Sequence, residues 1–163
     1  MTYFIIIRGP LGSGKTTIAK AVAKKLKAKY FAIDELLEQL HLDNNYVRDG
    51  YISEKAFCAA NKKLAPIAEK WLKKGKPVVI DGNFYRKSQI QDLLTKIKYP
   101  HFVFTLAIPL KICIERDAKR KQPLGIDAVK AVYAKAMEFS YGVEIDATKR
   151  KNETISTILA YIG

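Results

Sequence analysis

Cysteine is nearly missing from this chain of 163 residues, which carries only Cys58 and Cys113. They lie far apart and lack the Cys-x-x-Cys or mixed Cys/His spacing of a disulfide framework or zinc site, so stability has to come from an ordinary hydrophobic core. Both thiols read as free and buried, in a reducing compartment. Long apolar runs are missing as well. The stretch from Met1 to Arg8 is too short for a secretory signal and has no cleavage pattern behind it, and no other window approaches the roughly 20 residues of a membrane-spanning helix. The expected location is cytoplasmic. Negative charge is scarce: 16 Asp plus Glu stand against 29 Lys plus Arg, a formal net charge of +13. Such a surplus concentrates anionic substrates. Part of it reads as solvated surface, because Lys20, Lys24 and Lys27 sit at helical spacing opposite Ile18, Val22 and Leu26. No aromatic-and-basic motif of the RRM or KH kind is present, which leaves nucleic acid a secondary partner class.

What the chain does have is alternation. Apolar runs and helical patterns take turns along its length, which predicts an α/β fold with a parallel sheet in one domain, residues 1–163, with no repeat, linker or low-complexity tract. Tyr3 to Arg8 reads as a central strand buried on both faces. Further strands are expected at Tyr30 to Ile33, Pro77 to Ile80, His101 to Ala107 and Val143 to Ile145, each followed by a helix. The longest helical pattern, about Ser53 to Lys74, sets Phe57, Ala60, Leu64, Ile67, Ala68 and Trp71 on one face, with Pro66 expected to kink or restart it. His41 to Gly50 is polar and irregular.

The first strand-to-helix junction reads Gly9-Pro10-Leu11-Gly12-Ser13-Gly14-Lys15-Thr16, the Walker A pattern of Gly, four residues, then Gly-Lys-Ser/Thr. Its context fits: a strand before it, an amphipathic helix after it. A phosphate chain needs several backbone N–H donors converging on one point, and Gly12 and Gly14 allow the close approach and unusual dihedrals this takes. Gly9, Leu11, Gly12, Ser13, Gly14, Lys15, Thr16 and Thr17 are therefore the expected nucleotide-binding residues. Lys15 would supply a mobile positive charge for the β- and γ-phosphates, Thr16 a hydroxyl for Mg²⁺ and Thr17 a reach to the α-phosphate.

The ends of the later strands supply the remaining candidates, since strand carboxyl ends in a parallel sheet open into the ligand crevice. Asp34, expected at the end of the second strand, reads either as a base or orienting group for an attacking hydroxyl, or as the N-cap of the helix that follows. Asp81, after Val78-Val79-Ile80, is placed like a Walker B carboxylate that holds Mg²⁺ directly or through water. Asp81-Gly82 is also a hairpin signal, but Arg86 to Leu94 continue with helical rather than strand spacing. Asn83 and Arg86 open that helix, and with Arg48 and Tyr51 are the candidate acceptor contacts. The helix from about Leu110 sets Arg116 and Arg120 four residues apart, with Lys119 beside them, where they read either as a phosphate-clamping lid over about 116–126 or as solvated cations.

These motifs together resemble the small AAA-type, adenylate-kinase-like P-loop kinases: polynucleotide 5′-kinases, adenylylsulfate kinase, chloramphenicol phosphotransferase, gluconate and shikimate kinases and nucleoside monophosphate kinases. Asp81-Gly82-Asn83 and Arg116 to Arg120 look most like the corresponding segments of phage-type polynucleotide kinase. The resemblance implies a three-layer fold with strand order 2-3-1-4-5, Asp34 as base, and Lys15, Arg116 and Arg120 clamping the transition state. It also implies an Asp146-Ala147-Thr148-Lys149 loop near adenine, with Thr148 and Lys149 as contacts. The implied activity is transfer of the γ-phosphoryl group of Mg·ATP to a hydroxyl or acidic group of a small-molecule, nucleotide or polynucleotide acceptor. The second reading is an ATP-binding switch or nucleic-acid-associated NTPase. This chain departs from the shikimate kinase glycine run and from the Asp-Gly-Phe-Pro-Arg of nucleoside monophosphate kinases, so the acceptor stays open.

Overall fold

A computed structural model describes residues 1–42 and 52–163. Twelve elements follow in order: β1 (Phe4–Arg8), α1 (Lys15–Lys25), β2 (Lys29–Ala32), α2 (Ile33–Gln39), α3 (Glu54–Lys73), β3 (Val78–Gly82), α4 (Lys87–Lys96), β4 (His101–Ala107), α5 (Leu110–Ala118), α6 (Ile126–Ala136), β5 (Val143–Asp146) and α7 (Lys151–Ile162). The five strands form one parallel sheet in the order β2-β3-β1-β4-β5, the order the family resemblance implies. β1 and β3 are buried at every residue, which is why their sequences are continuous apolar runs rather than alternations.

Alternate side chains of β1 feed two cores. Phe4 and Ile6 join Val78, Ile80, Phe57, Leu64 and Leu93 on the side of α2, α3 and α4. Ile5 and Ile7 join Ile18, Val22, Phe104, Leu106 and Ile158 on the side of α1 and α7. Helices thus cover both faces, and all five strand carboxyl ends emerge at one edge.

Two local expectations change. α3 runs without a break through Pro66. Pro66 and Lys62, whose carbonyl loses its N–H partner, lie on the exposed side of the helix, where water can satisfy that carbonyl. Asp81 and Gly82 are strand residues, paired in parallel register with Ile7 and Arg8, so the Asp-Gly pair forms no hairpin.

Candidate active site

The loop between β1 and α1 has the backbone that a phosphate cradle requires. Gly12 and Gly14 have φ of +78° and +81°, a region costly for residues with a Cβ. Gly14 is the N-cap of α1, so the free N–H groups and dipole of that helix point into the loop. At Gly12 the space is closed as well as the dihedral: a Cβ there would stand 2.6 Å from the Cys113 carbonyl oxygen. The Gly12 carbonyl in turn accepts from Arg116 Nη1 at 3.3 Å. The loop is therefore pressed against α5.

Lys15 is only 6% exposed and has no carboxylate ion pair among the described residues. A buried ammonium without a fixed counter-ion is suited to receive an anion. The buried Ser13 hydroxyl also lacks a hydrogen-bond partner among the described residues. Beside the loop, a cavity of about 270 Å³ is bounded by Gly14, Thr17, Arg116, Ala147, Lys149 and Thr154, among others. This cradle, cation and adjoining cavity fit the phosphate chain and base of a nucleotide. Thr148 stands outside the cavity lining, its hydroxyl and N–H both held by Asp146 Oδ1 at 2.6 and 2.9 Å. Sequence reasoning passed over Thr154, which lies in the first turn of α7 and shows no motif.

Asp81, on β3, is buried beside the loop and accepts a hydrogen bond from the Tyr30 hydroxyl. Burial pushes its carboxyl above the ordinary value; the Tyr30 hydrogen bond and the Lys15 ammonium oppose this, and the charges of Asp34 and Glu35 add to it. The charges of Lys15, Asp34 and Glu35 thus all bear on Asp81. Thr16 is exposed at the start of α1. Among the described residues no three His, Cys, Asp or Glu side chains converge as a metal cage. One hydroxyl and one carboxylate beside a phosphate cradle still suit Mg²⁺, which keeps several waters and shares substrate phosphates.

Asp34 is neither strand end nor N-cap. β2 stops at Ala32, which is the N-cap, and α2 begins at Ile33. Asp34 therefore sits exposed in the first turn of α2, where the helix dipole favours a carboxylate, and among the described residues it has no ion-pair partner. Asn83 is buried, donating to the Tyr85 hydroxyl at 3.1 Å while its Oδ1 has no hydrogen-bond partner among the described residues. Arg86 is the N-cap of α4 and lies 3.8 Å from Glu54. Arg48 and Tyr51 fall outside the described residues.

The two-arginine helix face does not form. α5 ends at Ala118, and Arg120 lies in the bend beyond it, 48% exposed, 3.9 Å from Asp117 Oδ1. Arg116 turns to the phosphate loop and Arg120 away from it. The physical reason is Asp117. Its buried carboxylate accepts from the N–H groups of Leu124 and Gly125 at 3.1 and 3.0 Å, so the chain must turn back to reach α6. A carboxylate that holds the N–H groups just ahead of a helix, seven and eight residues downstream, leaves no periodic trace.

Comparison with known proteins gives the same outline. The chain is 26% identical to the deoxyguanosine kinase of Bacillus subtilis (strain 168) across 95% of this chain and 84% of that protein. Among solved structures, a sugar kinase from Janibacter sp. HTCC2649 superposes with a TM-score of 0.82 at 18% identity, covering 99% of this chain and 95% of that one. A gluconokinase from Sinorhizobium meliloti 1021 superposes at 0.70 and 17% identity, over 96% and 89%. These structural likenesses show the fold, a small P-loop kinase fold. The AAA domain family (AAA_33) matches residues 4–142, and the chain belongs to it.

Proposed function

We propose that this protein is an ATP-dependent phosphotransferase that passes the γ-phosphoryl group of ATP to a hydroxyl of a small or nucleoside-like acceptor. The observation that carries the reading is a glycine cradle with a buried Lys15, without a carboxylate ion pair among the described residues, and the buried Asp81 carboxylate on the neighbouring strand, on which the Lys15 charge bears. Such a grouping suits phosphoryl transfer, where positioning and charge neutralisation account for most of the catalysis.

Backbone N–H groups from Gly12 to Thr16 hold the phosphates and Lys15 neutralises charge on them. Arg116 reaches over the loop from α5, and the cavity lined by Ala147, Lys149 and Thr154 takes the base. Thr16 and Asp81 would hold Mg²⁺, which supplies charge neutralisation across the phosphate oxygens when bound. Asp34, exposed and unpaired among the described residues, orients the acceptor hydroxyl and takes its proton. Asn83 and Arg86 bind the acceptor. The nucleoside class is favoured because the Bacillus subtilis deoxyguanosine kinase aligns along nearly the whole chain.

The test is transfer of label from γ-labelled ATP to deoxynucleosides, ribonucleosides, 5′-hydroxyl oligonucleotides and sugar acids, beside Lys15→Ala and Asp34→Asn. Label in one acceptor class, with the rate lowered at least about 100-fold in Asp34→Asn, is the expected result for loss of a general base. ATP hydrolysis that no acceptor stimulates, or full transfer by Asp34→Asn, would refute the assignment.

A further inference from the structure

The Tyr30 hydroxyl is bonded to a carboxylate assigned to the cation, and the reading of sequence motifs gives it no role. Tyr30 pairs with Val79 in the β2–β3 register, and Ala32 pairs with Asp81. Tyr30 and Asp81 are therefore displaced by two residues on the same face of the sheet, close enough for a long side chain to cross from one strand to the next. Tyr30 does so: its hydroxyl donates to Asp81 Oδ2. Lys20 Nζ stands 5.6 Å from the centre of the ring, so the ring is held from the side of α1 as well.

A phenol has one proton to give, and Tyr30 gives it to Asp81 Oδ2. That bond stops the Asp81 carboxylate from rotating and leaves Oδ1 without a hydrogen-bond donor among the described side chains.

We propose that Tyr30 is a positioning residue for the divalent cation: its hydroxyl fixes the Asp81 carboxylate through Oδ2 and leaves Oδ1 available to the ion. This inference rests on the phosphotransferase reading, in which Thr16 and Asp81 serve Mg²⁺. It predicts a loss that appears only when the cation is present, because among the described residues the Tyr30 hydroxyl bonds Asp81 and none of the residues assigned to phosphate.

The experiment measures binding of a non-hydrolysable ATP analogue by calorimetry, in EDTA and in saturating Mg²⁺, for the wild type, Tyr30→Phe, Asp81→Asn and the double variant. Tyr30→Phe keeps the ring between Lys20 and the core, and its unfolding midpoint is recorded alongside. The expected result is unchanged affinity in EDTA, with the strengthening by Mg²⁺ reduced about tenfold, the scale of one hydrogen bond to a charged acceptor. Because Tyr30 acts through Asp81, the double variant should lose little more than Asp81→Asn alone. Direct Mn²⁺ binding to the nucleotide complex, followed by electron paramagnetic resonance, should weaken in parallel.

Full Mg²⁺ strengthening in Tyr30→Phe would overturn the proposal. So would an equal loss in EDTA and Mg²⁺, which marks a purely structural side chain, or losses that multiply in the double variant. A wild type that binds no nucleotide in either condition would instead overturn the phosphotransferase reading itself.

Discussion

Alanine at Gly12 and alanine at Gly75 have the same dihedral problem and opposite surroundings. Gly12 has φ +78° and Gly75 φ +76°, but nothing lies within 4 Å of a Cβ at Gly75, which follows the C-cap of α3. A Cβ at Gly12 meets three backbone atoms of Cys113, at 2.6, 3.0 and 3.1 Å, and backbone of a helix cannot swing aside as a side-chain tip can. Gly75→Ala should therefore cost only the left-handed backbone penalty, about 1–2 kcal/mol. Gly12→Ala adds an overpacking cost of about 1–3 kcal/mol. At roughly 2–4 °C per kcal/mol for a chain of this size, Gly75→Ala should melt about 2–8 °C below wild type and Gly12→Ala clearly lower. The assay is a thermal melt with and without Mg·ATP. At 100 times Kd the nucleotide stabilises wild type by about 2.7 kcal/mol, and Gly75→Ala should keep that shift. Gly12→Ala should lose most of it, since relieving the clash moves α5 and Arg116 with it. Equal midpoints for the two variants, or a full nucleotide shift in Gly12→Ala, would refute the contact between the loop and α5.

The two arginines that share a sequence pattern should separate in function. Arg116→Ala removes a wall of the cavity beside the loop and the bond to Gly12 and should weaken nucleotide binding by about tenfold, whereas Arg120→Ala breaks only a 3.9 Å contact between an exposed guanidinium and Asp117, whose carboxylate keeps its two backbone N–H donors, and should leave affinity near wild type; equal losses in a binding titration would refute this division. The two thiols should separate as well. Burial pushes Cys113 up to about 11, against the pull of Arg116 and Lys15, and because a thiol is an acid its reactive thiolate grows only as pH rises toward that value. At pH 8 roughly 0.1% is thiolate, so a thiol reagent should modify only half-buried Cys58 in the native protein and both residues in denaturant. Rapid native labelling of Cys113 at pH 8 would show that α5 is not packed on the loop.

The P-loop was legible because its chemistry is local: glycine spacing, lysine and threonine lie within eight positions, and the flanking apolar patterns mark strand and helix. The α/β class was legible from the alternation of those patterns. Strand order was not, since periodicity says nothing of lateral neighbours, and it came with the resemblance. Asp34 was misplaced by its surroundings: Phe31, Ala32 and Ile33 read as a continuing strand, but Ile33 already turns into α2 and buries completely. Arg120 was misplaced because helical spacing was carried past the point where Asp117 turns the chain. Tyr30 could not be found at all, because its partner is 51 positions away and a tyrosine in an edge strand is ordinary.

Arg8 shows most plainly why local pattern runs out. It closes the strand read as buried on both faces and is fully buried, and burial lowers its guanidinium to about 10, but what holds it there lies far along the chain. Its partners are the Thr105 hydroxyl and the carbonyls of Phe84, Ala136 and Phe139, with the Phe139 ring 4.2 Å away. Ala136 is the last residue of α6, so a cation sits at the negative end of that helix, while the Asp117 carboxylate holds the N–H groups of Leu124 and Gly125 just ahead of its positive end. Both charges match the helix dipole. Arg8 adjoins Gly9 and Asp117 adjoins Arg116, so each anchor of α6 is a chain neighbour of the phosphate site. A shift of α6 has to strain one of these anchors, and each anchor is one peptide bond from a residue that touches or shapes the cradle. Helix α6 is thus tied at both ends to neighbours of the phosphate loop and of Arg116, by bonds that span up to 131 positions and that no window of the sequence contains.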